Sequence, residues 1–192
     1  MAEAEPKKGN FKVSREEWIA AARDALIREG VNAVKIERLA FKLGVTRGGF
    51  YWFFKGRQQL LDALLADWQT TNTQAFIDAI RDAGPDGQVQ FRAMIDIYLN
   101  EDAFSPAYDA AVRDWARTSQ TARRAVEATD DQRINLMAGV FRVMGYDTDE
   151  AFIRARVTYF HQVGYYAMGI KEDRETRERY RPLYTKILAG PA

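Results

Sequence analysis

The chain has 192 residues, of which 47% are hydrophobic and 29% charged, and its net charge is +1. These values are typical of a folded protein with one sizeable domain or two unequal ones, and they exclude a disordered chain. The absence of cysteine excludes disulfides, thiol catalysis and thiolate metal sites. There is no apolar run of membrane-spanning length and no apolar signal peptide, so we expect a cytoplasmic protein without a membrane partner.

Positive charge is concentrated near the N-terminus. Residues 1–60 carry a net charge of +5, and the remaining residues carry −4. From Arg38 to Leu61 there are five cations and no acidic residue. Such an excess favours a polyanion, with nucleic acid as the first candidate, although a charged run also fits an ordinary solvated surface.

Helix signals recur along the whole chain, and no alternating strand pattern is found. Ser14 and Glu17 have the spacing of a capping box, Gly44 is expected to end a short second helix in a left-handed conformation, and Thr46 is expected to cap the third. We therefore predict an all-α protein of about nine helices. The predicted helices span roughly residues 14–30, 36–43, 46–53, 58–83, 88–100, 105–118, 121–144, 147–170 and 174–188.

The second and third helices, joined at Gly44, have the form of a helix-turn-helix. In that motif the first residues of the second helix meet base edges in the major groove. Arg47 can pair with a guanine edge, and two glycines allow close approach to the duplex. The residues predicted to read bases are Thr46, Arg47, Gly48 and Gly49. Those predicted to contact phosphates are Tyr51, Trp52, Lys55 and Arg57, helped by Lys7, Lys8 and Lys12 of the N-terminal arm. Phe50, Phe53 and Phe54 are expected in the core.

The run IERLAFKLGVTRGGFYWFFKGRQQLLDALL, residues 36–65, resembles the DNA-binding domain of the tetracycline-repressor (TetR/AcrR) family, and the resemblance extends over about residues 14–68. It implies a three-helix DNA-binding domain, a helical C-terminal domain that binds a small effector, and a homodimer on a near-palindromic operator. By position, residues 46–49 match the base-reading segment and Tyr51 matches the phosphate-binding tyrosine. Phe53 departs from the usual histidine or tyrosine, Arg57 from the frequent lysine and Lys35 from the frequent threonine cap.

The expected domain organisation has three parts. Residues 1–13 form a flexible N-terminal arm, and residues 14–57 form the helix-turn-helix DNA-binding domain. Residues 58–192 form a helical domain for effector binding and dimerisation.

The eighth helix carries two neighbouring apolar stripes that together cover about 200° of its circumference, more than a helix seated on one core requires. We therefore predict that the eighth and ninth helices pair with a second copy in a four-helix interface, although the eighth helix could instead be central within one subunit. The sequence does not decide which stripe faces the partner. The first stripe, assigned to the dimer interface, is Phe152, Tyr159, Val163, Tyr166 and Ile170. The second stripe is Ile153, Val157, Phe160 and Met168.

Aromatic and soft apolar residues in the C-terminal part are sufficient to line a pocket for a small apolar or aromatic effector, although the same residues would also fill an ordinary core. The residues assigned to this pocket are Phe91, Tyr98, Phe104, Tyr108, Trp115, Phe141, Met144, Phe160 and His161.

Together these features predict a sequence-specific DNA-binding regulator, a repressor that a small molecule releases from a palindromic operator. The alternative is a helical adaptor whose basic module binds protein or an anionic surface. We expect no cofactor and no enzymatic activity, because one histidine and scattered carboxylates offer no catalytic constellation.

Overall fold

The predicted helices correspond closely to those of the computed structural model, which describes residues 13–190. These residues form nine α-helices and no strand, and the all-α prediction is confirmed. No helix among them has the length and apolar character needed to cross a membrane. In chain order the helices are α1 (Arg15–Glu29), α2 (Ile36–Leu43), α3 (Arg47–Phe50), α4 (Arg57–Asp82), α5 (Gly87–Asn100), α6 (Pro106–Ala116), α7 (Gln120–Val143), α8 (Thr148–Ala167) and α9 (Arg174–Ala189).

The chain divides into two compact units, Met1–Leu64 (unit 1) and Leu65–Ala192 (unit 2). The division falls within α4, later than the predicted boundary between residues 57 and 58. Val13 is buried, so the predicted flexible arm does not extend as far as this residue. The predicted arm cations Lys7, Lys8 and Lys12 lie outside the described residues.

Local capping explains where the first helices begin and end. The capping box of α1 is confirmed, because the Glu17 amide donates to Ser14 Oγ at 3.2 Å and the Ser14 amide donates to Glu17 Oε2 at 2.6 Å. Gly44 ends α2 with φ 65° and ψ 33°, the left-handed conformation predicted for it. A 3₁₀ turn at Val31–Ala33, which the sequence does not predict, follows α1.

The third helix is shorter than predicted, and the predicted cap by the Thr46 hydroxyl is wrong. The Gly49 amide donates instead to the Thr46 carbonyl oxygen at 3.1 Å, and the Tyr51 amide donates to the Gly48 carbonyl oxygen at 3.2 Å. These bonds span three residues, as in a 3₁₀ helix, and they satisfy the amide that the hydroxyl would otherwise have bound.

An aromatic cluster in unit 1 holds α3 in place. Phe50 is fully buried, and its ring meets Trp18 edge-on at 5.2 Å between centroids and stacks on Phe54 at 5.2 Å. Phe50 and Phe54 are therefore core residues, as predicted, whereas Phe53 is only half-buried. Since α3 has only four residues, this packing rather than helix propensity must stabilise it.

A buried network of charged residues lies within unit 2. Asp109 on α6 accepts from Arg133 Nη1 at 2.9 Å, from Arg113 Nε at 2.6 Å and from Trp68 Nε1 at 3.2 Å. Arg133 is only 2% exposed. Burial is the largest single effect and would lower the pKa of Arg133, but Asp109, Tyr159 and Tyr98 together outweigh it and the pKa is raised. Asp109 therefore links α4, α6 and α7.

The same network extends to α8 through Asp130. Its carboxylate accepts two hydrogen bonds from Arg113, at 2.6 and 3.0 Å, and a third from the Tyr159 hydroxyl at 2.6 Å. Burial is the main cause of the raised pKa of Tyr159, so its hydroxyl stays protonated and acts as a donor. Tyr159 is thereby fixed inside its own subunit.

The network predicts a large effect of Asp109→Asn on stability. The substitution keeps the shape of the side chain but removes the negative charge that compensates Arg113 and Arg133, so we expect the free energy of unfolding to fall by about 3 kcal/mol. Urea denaturation followed by circular dichroism measures this change. Asp131→Asn, at an exposed position of α7, is the control and should change the free energy by less than about 0.5 kcal/mol. Equal effects of the two substitutions would contradict the prediction.

Candidate nucleic-acid interface

The start of α3 is presented to solvent. Because Phe50, at its last position, is sealed in the core, the preceding residues Thr46, Arg47 and Gly48 are exposed, and Gly49 is partly exposed. The four residues predicted to read bases therefore lie together on an accessible surface. Their role in reading bases stays a prediction.

The two glycines of α3 are not required by the fold itself. Neither has a positive φ, so the backbone conformation accepts other residues. A Cβ at Gly49 would meet nothing within 4 Å, and a Cβ at Gly48 would make an ordinary contact of 3.5 Å with Thr46 Oγ1. Each glycine nevertheless costs about 1 kcal/mol of helix propensity relative to alanine. A bare surface at these positions is what close approach to another molecule requires.

Arg47 makes a surface ion pair with Glu37 on α2. Its Nη1 donates to Glu37 Oε1 at 2.9 Å, and both side chains are largely exposed. A backbone hydrogen bond, and secondarily Arg47, lowers the pKa of Glu37, so this carboxylate is charged at neutral pH. Exposed pairs of this kind contribute little free energy, and the guanidinium can exchange this partner for another. Sequence reasoning missed Glu37, because its separation from Arg47 follows no helical spacing.

Three of the four residues predicted to contact phosphates are exposed. Tyr51 is 59% exposed while its ring edge packs on Phe50 at 5.4 Å between centroids, and Trp52 is 72% exposed. Lys55 is also exposed, and its backbone amide donates to Gln59 Oε1 at 2.6 Å. Tyr51, Trp52 and Lys55 thus remain candidates for phosphate contact.

Arg57 makes contacts within unit 1 that the sequence does not predict. Its Nε donates to the Val34 carbonyl oxygen at 2.6 Å and its Nη2 to the Val31 carbonyl oxygen at 2.6 Å. The part-buried guanidinium therefore ties the start of α4 to the 3₁₀ turn, which uses two of its five N–H donors. Charge and sequence position alone do not reveal a partner 23 residues away. The phosphate contact of Arg57 stays a prediction.

The first apolar stripe of α8 faces its own subunit, which contradicts the predicted dimer interface at its centre. Tyr159 is buried and bound to Asp130, Val163 packs on the hydrophobic core, and the Tyr166 hydroxyl donates to the Tyr98 carbonyl oxygen at 3.1 Å. Only the end residues of the stripe, Phe152 and Ile170, are exposed. The reason is that Tyr159 shares its helix face with the fully buried Ala151 and Ala155, where α8 packs on unit 2.

The second stripe of α8 forms the exposed apolar surface, and α9 adds a row of the same kind. Together with Phe152 these residues are named the α8–α9 apolar surface. From α8 it comprises Phe152, Ile153, Val157 and Phe160, with Met168 directly after the helix. From α9 it comprises Tyr180, Leu183, Tyr184 and Ile187.

The residues predicted to line an effector pocket do not lie together around one cavity. Phe160 is exposed, with the Arg156 guanidinium over its ring at 5.1 Å, so its placement in a pocket is wrong. Two others, Tyr98 and His161, line a cavity between α5, α8 and α9. The remaining six pack within unit 2 and do not line that cavity; they are Phe91, Phe104, Tyr108, Trp115, Phe141 and Met144.

In this all-α structure, α2 and α3 are joined by a left-handed glycine turn, and the first turn of α3 is exposed. This is the structure of a helix-turn-helix protein. Residues 19–64 match the family model described as "Bacterial regulatory proteins, tetR family". This segment is therefore similar to the DNA-binding segment of the tetR family, the family expected from the sequence.

Curated relatives match the same N-terminal part. The chain is 40% identical over 58 residues to the uncharacterized HTH-type transcriptional regulator TtgW of Pseudomonas putida, covering 30% of this chain and 43% of that protein. It is 39% identical over 56 residues to the HTH-type transcriptional regulator SrpR of Pseudomonas putida, covering 29% and 26%. It is also 39% identical over 61 residues to the class C tetracycline repressor protein of Escherichia coli, covering 32% and 28%. The chain thus spans less than half the length of these relatives.

Two solved structures share the fold over almost the whole chain. A transcriptional regulator from Rhodococcus sp. Rha1 has a TM-score of 0.64 at 18% identity and covers 93% of this chain and 92% of its own. The fatty acid degradation regulator FadR from Bacillus halodurans has a TM-score of 0.66 at 16% identity and covers 96% and 98%. At these identities the similarity shows the fold alone.

A matched pair of substitutions separates the roles of Arg57 and Lys55. Arg57→Ala should lower the free energy of unfolding by about 2 kcal/mol, because two carbonyl oxygens lose a charged donor. Lys55→Ala should leave stability unchanged but make the salt dependence of DNA binding shallower by about one unit, since one phosphate contact is lost. Urea denaturation and duplex titrations at several salt concentrations measure the two effects. A reversed pattern would contradict both assignments.

Proposed function

We propose that the protein is a sequence-specific DNA-binding transcriptional regulator. The observation that supports this most directly is the exposed start of α3, where Arg47 and Thr46 stand beside two glycines that the fold itself does not require. Arginine at this place can donate to both acceptors of a guanine edge, and the absence of side chains at the glycines lets the backbone come close to the groove. Tyr51, Trp52 and Lys55 supply the phosphate contacts that fix the register.

Repression is the direction of regulation that we favour. One relative of the DNA-binding segment is named as a tetracycline repressor, and others are named as transcriptional regulators. A repressor acts by occupying its operator, and a small apolar or aromatic effector that binds unit 2 would release it. Such a protein acts on the bacterial chromosome, so we expect it in the cytoplasm.

The base-reading role of Arg47 is tested by Arg47→Ala. We expect the affinity ratio between an inverted repeat upstream of the gene and a shuffled duplex to fall by at least tenfold, because a bidentate contact to guanine contributes about 1–3 kcal/mol of discrimination. Fluorescence anisotropy titrations of both duplexes measure the ratio.

Arg123→Ala is the matched control, since it removes the same charge from an exposed position on α7 in unit 2. This control should leave the ratio unchanged. An unchanged ratio in Arg47→Ala would remove Arg47 from base reading.

We further propose that the protein acts as a homodimer paired through the α8–α9 apolar surface. The surface is contiguous along α8 at Ile153, Val157 and Phe160, and exposed apolar patches of this extent mark interaction sites. A two-fold dimer uses the same patch on both subunits, so two helices from each copy would form a four-helix interface. A symmetric dimer also suits an operator whose two halves are inverted repeats.

Dimerisation is tested by Val157→Lys. The buried charge should disfavour pairing, and the chain should elute as a monomer in size-exclusion chromatography with light scattering. Val143→Lys is the control, because Val143 is 53% exposed and Val157 is 52% exposed, but Val143 lies at the end of α7, outside the α8–α9 apolar surface. The control should remain a dimer. Monomeric wild-type protein would refute the proposed interface.

A further inference from the structure

A cavity of about 60 Å³ lies in unit 2 between α5, α8 and α9. The cleft that surrounds it has a volume of about 580 Å³, which includes the part open to solvent. Its walls are mainly apolar and aromatic. They include Ile95 and Leu99 of α5, Tyr165 of α8, and Tyr184 and Leu188 of α9. An apolar cavity of this kind favours a ligand with an apolar, planar body.

Two buried hydroxyl groups belong to residues that line the cavity. Thr158 is 2% exposed and Tyr98 is 3% exposed, and neither Thr158 Oγ1 nor Tyr98 Oη has a hydrogen-bond partner among residues 13–190. A buried hydroxyl without a partner destabilises a protein, and such groups are normally bound to water or to a ligand. Both oxygen atoms are shielded from solvent, so a ligand in the cavity reaches one of them only when its side chain turns toward the cavity. A ligand with a polar group gains a hydrogen bond from that rotation.

The charged residues at the cavity are already paired within the chain. Arg177 donates to Glu101 Oε1 at 2.9 Å, and Arg181 forms an ion pair with Asp96 at 2.7 Å. Burial lowers the pKa of His161, so its ring is neutral at physiological pH. These residues leave no unpaired cation to balance an anionic ligand, and Glu172 at the wall adds a further negative charge.

We propose that this cavity binds a small, uncharged aromatic molecule with a hydroxyl group, of the phenol class, whose hydroxyl bonds to Thr158 Oγ1 when the Thr158 side chain turns toward the cavity. The ring lies against the apolar and aromatic walls and extends into the surrounding cleft. Phenols are protonated at neutral pH, as the tyrosine side chain is. A phenol is therefore uncharged and needs no unpaired cation to bind. The identification of this molecule as the effector rests on the proposed regulatory function.

The position of the cavity links ligand binding to the α8–α9 apolar surface. Arg177 and Arg181 fasten α9 to α5, and Thr158 and His161 belong to α8. A ligand held between these helices contacts both elements of the proposed dimer interface. The effector role requires that it bind one arrangement of that interface more tightly than another.

The binding part of the proposal is tested on the full chain without DNA. Isothermal titration calorimetry with phenol is compared with toluene, which lacks the hydroxyl, and with benzoate, which carries a negative charge. We expect phenol to bind at least about tenfold more tightly than either. Toluene lacks the hydrogen bond, benzoate brings an uncompensated charge, and each difference weakens binding by about this factor.

Thr158→Val removes the hydroxyl and keeps the shape of the side chain. It should weaken phenol binding about fivefold to tenfold and leave toluene binding unchanged. Thr121→Val, at an exposed position of α7, should change neither. Unfolding curves show whether the variants fold, and Leu99→Trp, which fills the cavity from α5, should abolish binding of both molecules.

Equal binding of phenol and toluene, tighter binding of benzoate, or an unchanged phenol affinity in Thr158→Val would overturn the proposed ligand class. A second titration measures operator affinity with and without saturating phenol, and we expect at least a fivefold weakening. Phenol binding with unchanged operator affinity would overturn the effector role alone. A chain that binds phenol but no DNA duplex would contradict the regulatory function and leave the cavity assignment standing.

Discussion

The burial of Phe50 between Trp18 and Phe54 is the contact on which the candidate nucleic-acid interface depends. A helix of four residues has no stability of its own, so this aromatic packing determines both its existence and its orientation. With Phe50 held inside, the first turn of α3 must face outward, and Arg47 and the glycines are exposed as a consequence. Arg57 reinforces the same arrangement by binding the carbonyl oxygens of the 3₁₀ turn from the start of α4.

In unit 2 the proposed dimer interface depends on the division of α8 into an inner and an outer face. The inner face carries Ala151, Ala155 and Tyr159, which are buried, and Tyr159 is fixed by the charged network through Asp130. The outer face carries Val157 and its exposed apolar neighbours. The apolar side chains of this outer face stay exposed although the Arg156 guanidinium lies over the Phe160 ring. The proposed pairing with a second copy would remove them from water.

Local features were predictable from the sequence, and tertiary ones were not. The capping box at Ser14 and the glycine at position 44 mark helix ends through neighbouring residues, so the helices and the exposed first turn of α3 followed from spacing alone. The roles of Arg57 and Tyr159 did not, because their partners lie far away in the chain. Aromatic composition likewise indicated core-forming material but could not show that Tyr98 and His161 are the two predicted pocket residues that line the cavity.

The central claim is that the outward first turn of α3 reads duplex DNA twice in one symmetric assembly. Selection of duplexes from a random pool by the purified full chain, followed by sequencing of the retained fraction, tests it most directly. We expect the retained sequences to contain an inverted repeat whose half-sites are centred about one helical turn apart, with guanine enriched at a fixed place in each half. A retained fraction that stays random, or a chain that retains no duplex even at low salt, would contradict the claim.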